Sequence, residues 1–289
     1  MIRLRCVALL VAVSVLVTST PAAADRFHDY LALGDSVAFG FDPLVPPADR
    51  ADPSNFVGYP EALASSLPLT LTNASCPGEA SGGFISVSSP LDNGCRPYRS
   101  FFPLHVGYPA TQSQLDFAVG FLREHRDTKL ITIDIGANDL FLLQTACGGN
   151  SSCVLANLPP LLVRLRDNLS TIYARLRHEG RFHGRLVALT YYALNYTDPE
   201  QVAVIGAINS VVSEVTLAQP AGSVADGFGA FAAASAPSGS PCVAGLLIRL
   251  SIAPLICDVH PSPAGRDVLA LTIRSVVVGE IVEEDRRGD

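Results

Sequence analysis

Lysine is almost absent from this chain: Lys129 stands alone beside nineteen arginines, a pattern of codon usage and not of a binding site. Basic groups number 20 against 27 acidic ones, and the formal net charge of -7 excludes a surface that draws in nucleic acid or anionic membranes. No apolar run reaches the roughly 20 residues that span a bilayer, and no internal repeat is visible. Also missing are G-x-x-x-x-G-K, H-E-x-x-H and G-x-S-x-G, which removes the P-loop, zincin and ordinary α/β-hydrolase readings. One G-x-G-x-x-A pattern is present, Gly227 to Ala232. It would sit at the last strand instead of the first, and the AASAPSGSPC that follows it is turn material, so a dehydrogenase fits poorly.

Ahead of the first strand, Arg3 and Arg5 precede an apolar run from Cys6 to Val17, and the segment closes on Pro21, Ala22, Ala23 and Ala24. This is the layout of a secretory signal peptide over residues 1–24, cleaved after Ala24; an uncleaved anchor is the alternative. Residues 1–24 contain no acid, so removing Arg3 and Arg5 takes the net charge from -7 to -9. The expected mature chain, residues 25–289, suits a single exported domain with a sizeable core and no stable membrane insertion.

Seven cysteines become six once Cys6 leaves with the leader: Cys76, Cys95, Cys147, Cys153, Cys242 and Cys257. An even count in an oxidising compartment reads as disulfides, although six cysteines allow fifteen pairings. Sequence neighbours give the simplest set, Cys76 with Cys95, Cys147 with Cys153, and Cys242 with Cys257. A zinc site is the competing reading, but paired C-x-x-C units are lacking and no histidine stands in ligand register beside these cysteines.

Strand and helix signals alternate along the rest. Tyr30 to Leu33, Leu69 to Leu71, Leu130 to Ile135 and Leu186 to Tyr192 are short unbroken apolar runs, as expected of strands buried on both faces, with a weaker fifth at Ser223 to Ala225. Leu162, Leu165, Leu169, Ile172 and Leu176 recur at helical spacing until Gly180 stops them. Another helix starts with Asp198 as N-cap and Pro199 in its first turn, and ends before Pro220. This order predicts right-handed crossovers and a parallel sheet covered on both sides, a three-layer α/β/α sandwich. Residues 41–58, 76–109, 138–160 and 232–257 read as long loops, expected around the carboxyl ends of the strands, where ligands bind in such sheets.

Three motifs follow strands or loops in the right order: Gly34-Asp35-Ser36, Gly136-Ala137-Asn138-Asp139 and Asp258-Val259-His260-Pro261. Each alone has ordinary turn composition; together they make a catalytic set. A serine hydroxyl attacks an acyl carbon only if a base removes its proton, and neutral imidazole suits that role, which points to Ser36 and His260. The charge that develops on the carbonyl oxygen needs fixed donors, and Ser36 N–H, Gly78 N–H and the Asn138 amide are placed to supply them. His105, in the aromatic YRSFFPLHVGY stretch, is the other histidine with a substrate-side alternative; Phe101, Phe102 and Tyr108 there either line an acyl pocket or pack the loop.

The ordered set GDS, NASCPGEAS with Gly78, GAND and DVHP resembles the SGNH hydrolases, also called the GDSL esterase and lipase family, across essentially all of residues 25–289. The chain is most similar to the exported, cysteine-paired type found in actinobacteria. The resemblance implies a central parallel five-stranded sheet of flavodoxin-like type, nucleophile Ser36, base His260 and an oxyanion hole from Ser36, Gly78 and Asn138. In one place it departs from the family pattern. The acid normally stands three residues before the histidine, whereas Asp258 stands two before His260 and Cys257 occupies the third position, so either the Asp258 carboxylate or the Cys257 main-chain carbonyl orients the imidazole.

A secreted serine esterase or lipase is therefore expected: a monomer that needs no cofactor and no metal and acts on small-molecule or lipid esters. O-deacetylation of a polysaccharide is the alternative substrate class, and a catalytically silent binding module the alternative of a different kind.

Overall fold

The computed structural model describes residues 28–287, so the leader over residues 1–24 lies outside the described residues. Five strands, β1 (His28–Gly34), β2 (Leu69–Asn73), β3 (Leu130–Asp134), β4 (Arg185–Leu189) and β5 (Gly222–Ala225), form one parallel sheet in the order β2-β1-β3-β4-β5, the flavodoxin-like arrangement. A separate antiparallel hairpin joins β6 (Leu247–Ile252) to β7 (Leu255–Pro261). The helices are α1 (Ser36–Phe39), α2 (Tyr59–Ser66), α3 (Ser81–Ile85), α4 (Cys95–Phe101), α5 (Gln114–Glu124), α6 (Ala137–Ala146), α7 (Ser151–His178), α8 (Pro199–Leu217), α9 (Gly227–Ala234) and α10 (Pro263–Arg287).

Alternation along the strands divides the core in two. On β1, Leu31 and Leu33 face one layer, where they meet Leu115 and Leu122 of α5, Leu165, Leu169 and Ile172 of α7, and Ile208 and Val212 of α8. Tyr30 and Ala32 face the other, with Tyr59 and Leu63 of α2, Phe231 of α9, and Leu269 and Ile273 of α10. Because side chains on a strand point alternately to opposite faces, a run with no polar break is what two covered faces require. The three-layer expectation is met for this reason.

Three expectations fail. Residues 138–160 are not a loop, since α6 and the first third of α7 fill most of them. Pro159 and Pro160 stand inside α7, where each removes a backbone donor. Both are exposed, while Val154 and Leu161 on either side are buried in the core, and that packing carries the helix through. Residues 232–257 likewise contain β6 and the start of β7. A helix also does begin at Gly227, capped by Asp226 Oδ1, which accepts from Gly229 N–H at 2.9 Å, so the turn composition after it was no objection. It follows β5 at the edge of the sheet, not the first strand.

Candidate active site

The site begins where β1 ends. Gly34 has φ +138°, and a Cβ there would lie 2.4 Å from Asp134 Oδ1 and 2.5 Å from the Asp134 carbonyl, so only glycine fits. The Gln114 side chain clamps this peptide from both sides: Gly34 N–H donates to Oε1 at 2.7 Å, and Nε2 donates to the Gly34 carbonyl at 3.0 Å. Asp35 then caps α1, its Oδ1 accepting from Val37 N–H at 2.9 Å. Ser36 is the first residue of that turn and the partly exposed one among buried neighbours.

Beneath it lies a pair of buried carboxyls. Asp35 Oδ2 accepts from the Tyr191 hydroxyl at 2.7 Å and from Asn138 Nδ2 at 3.0 Å. Asp134, at the end of β3, accepts from the Tyr59 hydroxyl at 2.8 Å on Oδ1, while its buried Oδ2 has no hydrogen-bond partner. Burial raises both carboxyls, and the charge on Asp35 pushes Asp134 further up. Two buried carboxyls in contact do not both ionise. Asp35 has three donors aimed at it to hold its charge, and Asp134 is the carboxyl pushed further up.

Asn138 opens α6, and its amide is held at both ends. Nδ2 donates to Asp35, and Oδ1 accepts from Asn93 Nδ2 at 2.8 Å. With Oδ1 oriented this way, the second proton of Nδ2 remains to donate elsewhere. Asn93 also donates its N–H to the Gly78 carbonyl at 3.0 Å, tying Gly78 to Asn138. Gly78 has φ +80°, and a Cβ on it would meet the Asn93 carbonyl oxygen at 2.7 Å. The Cys76–Cys95 disulfide closes the loop that carries both Gly78 and Asn93.

His260 stands near the end of β7. Its Nδ1 hydrogen-bonds Asp258 Oδ1, and its backbone N–H donates to the same oxygen at 3.1 Å. Burial pushes Asp258 up, but the bonds and charge of His260 outweigh it and hold the carboxyl below its ordinary range. The strand is pinned by the Cys242–Cys257 disulfide and by the Tyr192 hydroxyl, which donates to the Val259 carbonyl at 2.7 Å. The Phe41 ring lies 5.0 Å from the imidazole.

Ser36, Asn138 and His260 line one cleft of about 360 Å³, whose further walls are largely apolar: Leu140 and Phe141 of α6, Val154 of α7, and Val204 and Ile205 of α8. Gly149 and Ser151, inside the loop closed by the Cys147–Cys153 disulfide, also line it, and Gln144, Asp198, Glu200 and Gln201 supply a polar part of its wall. The three disulfides join sequence neighbours. His105 lies elsewhere, its Nε2 3.0 Å from the Phe39 carbonyl oxygen and its ring 4.6 Å from the Phe39 ring. Tyr108 stacks on Phe117 and donates to the Ala74 carbonyl, Phe102 packs on Tyr98, and Phe101 is exposed, so this aromatic stretch packs its own loop. Among the described residues one trio, Cys76, Glu79 and Cys95, is close enough to hold an ion, but both sulfurs are in a disulfide.

Sequence reasoning missed Asn93, Tyr191, Asp134 and Glu79. The last follows Gly78 and is buried; burial, then the charge of Asp92, pushes its carboxyl up to about 8. Between the ordinary carboxylate range and pH 8 the folded state binds a proton that the unfolded state has lost. This contribution to stability is therefore complete below about pH 4.5 and is lost as pH rises through 8. Glu79→Gln is expected to remove that loss, gaining on the wild type by up to about 1.4 kcal/mol per pH unit over this window. Urea unfolding at pH 5, 6.5 and 8 measures it. Parallel pH dependence in the two proteins would mean that Glu79 is already ionised in the fold.

A family model described as the GDSL-like lipase/acylhydrolase family matches residues 32–268. Among solved structures, the extracellular lipase of Streptomyces rimosus aligns at 19% identity over 86% of this chain and 99% of that one, with a TM-score of 0.54. A lipase from a goat rumen metagenome aligns at 16% identity over 86% of this chain and 96% of that one, TM-score 0.53. The acetylxylan esterase Axe2 of Geobacillus stearothermophilus aligns at 14% identity over 85% of this chain and 92% of that one, TM-score 0.51. At these identities the likeness is one of fold. No curated protein matches the chain.

Proposed function

Because the chain belongs to the GDSL-like lipase/acylhydrolase family and is therefore a carboxylic ester hydrolase, we propose that it cleaves esters through an acyl-Ser36 intermediate with His260 as base. The observation that carries this reading is that Ser36, Asn138 and His260 line one cleft while Asp258 bonds the imidazole from behind. Ser36 Oγ attacks the ester carbon as His260 Nε2 takes its proton. The carbonyl oxygen becomes an oxyanion facing Ser36 N–H, Gly78 N–H and Asn138 Nδ2. Collapse breaks the bond to the alcohol, which leaves with the proton from His260. A water then repeats the sequence on the acyl carbon, His260 again taking the proton and returning it to Ser36 as the acid departs. No step calls for a metal or a cofactor.

The apolar walls from α6, α7 and α8 suit a fatty acyl chain better than acetyl, which would leave most of this surface wet. We read the substrates accordingly as small-molecule or lipid esters. Export of a single domain over residues 25–289, after removal of residues 1–24, is supported by three disulfides, which persist in oxidising compartments. Among the described residues no helix is long and apolar enough to cross a membrane.

Nitrophenyl butyrate and octanoate test the reading. The wild type is expected to turn over both, and Asn138→Ala to lower kcat by roughly 100- to 1,000-fold with little change in KM, since the lost donor acts on charge that forms only in the transition state. A wild type inert on both esters would overturn the acyl-chain assignment.

A further inference from the structure

The β6–β7 hairpin has a fixed base and an unsupported tip. At the base, Leu247 and Ile248 are buried, Cys257 is bridged to Cys242, and Val259 is held by Tyr192. At the tip, Leu250, Ile252, Leu255 and Ile256 are 46%, 83%, 42% and 48% exposed. Six of the seven residues 250–256 are apolar, and no charged residue stands between Arg249 and Asp258. A cluster of large apolar side chains held in water is uncommon in a monomer and marks a contact surface. Asp258 and His260 follow on the same strand, and His260 and Val259 line the cleft, so the tip is joined through β7 to the residues that line the cleft.

We propose that this tip docks on the surface of aggregated neutral ester, the droplet or micelle from which the cleft draws its substrate; the proposal rests on the ester-hydrolase reading above. Charge fits a neutral occupant. The chain carries a net charge of -7 and the tip has only Arg249 beside it, so an anionic surface would be repelled overall and an apolar one would not. A second copy of the chain fits less well, because a stable dimer uses about 20 to 30 residues a side and the tip offers seven. Its continuity with the cleft further favours the substrate phase over an unrelated protein.

The test compares the wild type, the variant carrying Leu250→Ser, Ile252→Ser, Leu255→Ser and Ile256→Ser together, and the single Ile252→Asp. All are assayed as the full chain on nitrophenyl butyrate below its solubility limit and on tributyrin emulsion. Equal kcat/KM on the dissolved ester is expected, within about twofold, together with a loss of roughly tenfold or more on the emulsion. Ile252→Asp, at the most exposed position, serves if the fourfold change unfolds the hairpin. Flotation with tributyrin droplets is measured on Ser36→Ala with and without the tip changes, so that binding is read even if no ester is hydrolysed. Equal flotation with and without the tip residues would overturn the docking proposal, as would tip-dependent dimers in sedimentation. Flotation that needs the tip, with no turnover of either ester by the wild type, would instead overturn the ester-hydrolase reading.

Discussion

Ser36→Ala is expected to lower kcat on nitrophenyl butyrate by roughly a million-fold while leaving the melting temperature close to that of the wild type. The chemistry sets the size of the loss. Without Oγ there is no nucleophile and no acyl-enzyme, and what remains is water attack assisted by the oxyanion donors and by binding, typically about 1,000- to 10,000-fold above the uncatalysed rate. The fold should be indifferent for equally local reasons. Ser36 is only partly buried, the cap on α1 comes from Asp35, the strand end is held by Gln114, and alanine accepts a helical first turn readily. Its backbone N–H is also kept, so the change removes one atom and its proton from an otherwise intact site. Steady-state rates and a thermal melt on the same preparation measure both halves. A wild-type rate would remove Ser36 from the mechanism, and a melt shifted by many degrees would mean that the hydroxyl has a structural role.

What could be read in the sequence divides along the distance over which the information acts. The sheet was legible because strands covered on both faces need nearly unbroken apolar runs, and Tyr30 to Leu33 or Leu186 to Leu189 are just that. The three site motifs were legible because each is a local solution to one strand end or loop. The disulfides join the cysteines nearest in sequence, so the simplest pairing is the one present. What stayed hidden acts across the chain. Asn93 orients Asn138 from 45 residues away, and Tyr191 reaches Asp35 across 156. No spacing rule links such pairs. The carboxyl pair was hidden for the same reason: Asp134 reads as the polar end of a strand, and only β1–β3 pairing sets it against Gly34 and beside Asp35. The β6–β7 hairpin was lost inside an assumed loop because its apolar residues face water, where hydrophobic pattern normally argues for burial.

Asp258→Ala is expected to cost roughly 10,000-fold in kcat with KM nearly unchanged, and Asp258→Asn to recover little of it. The spacing motivates the test. With the acid two residues before the base, Asp258 Oδ1 accepts from the His260 backbone N–H and meets Nδ1 as well, so one oxygen fixes both the turn and the ring. Such a bond keeps the proton on Nδ1, leaves Nε2 free to accept from the serine, and stabilises the imidazolium that forms. Asparagine preserves the shape but brings no charge and can turn its NH₂ toward the ring, favouring the wrong tautomer. Because Asp258 is held below its ordinary carboxylate range, its charge persists past the pH where an exposed aspartate protonates, whereas the stability it contributes is full only above that pH and is lost as pH falls from there through the lowered value. The alternative makes the opposite prediction. If the Cys257 main-chain carbonyl oriented the ring, either substitution would leave kcat within about tenfold of the wild type, and the Cys242–Cys257 disulfide that positions that carbonyl would matter more than the carboxylate. Measured side by side on nitrophenyl butyrate, the two variants separate a triad from a dyad, since only the triad requires a negative charge at position 258.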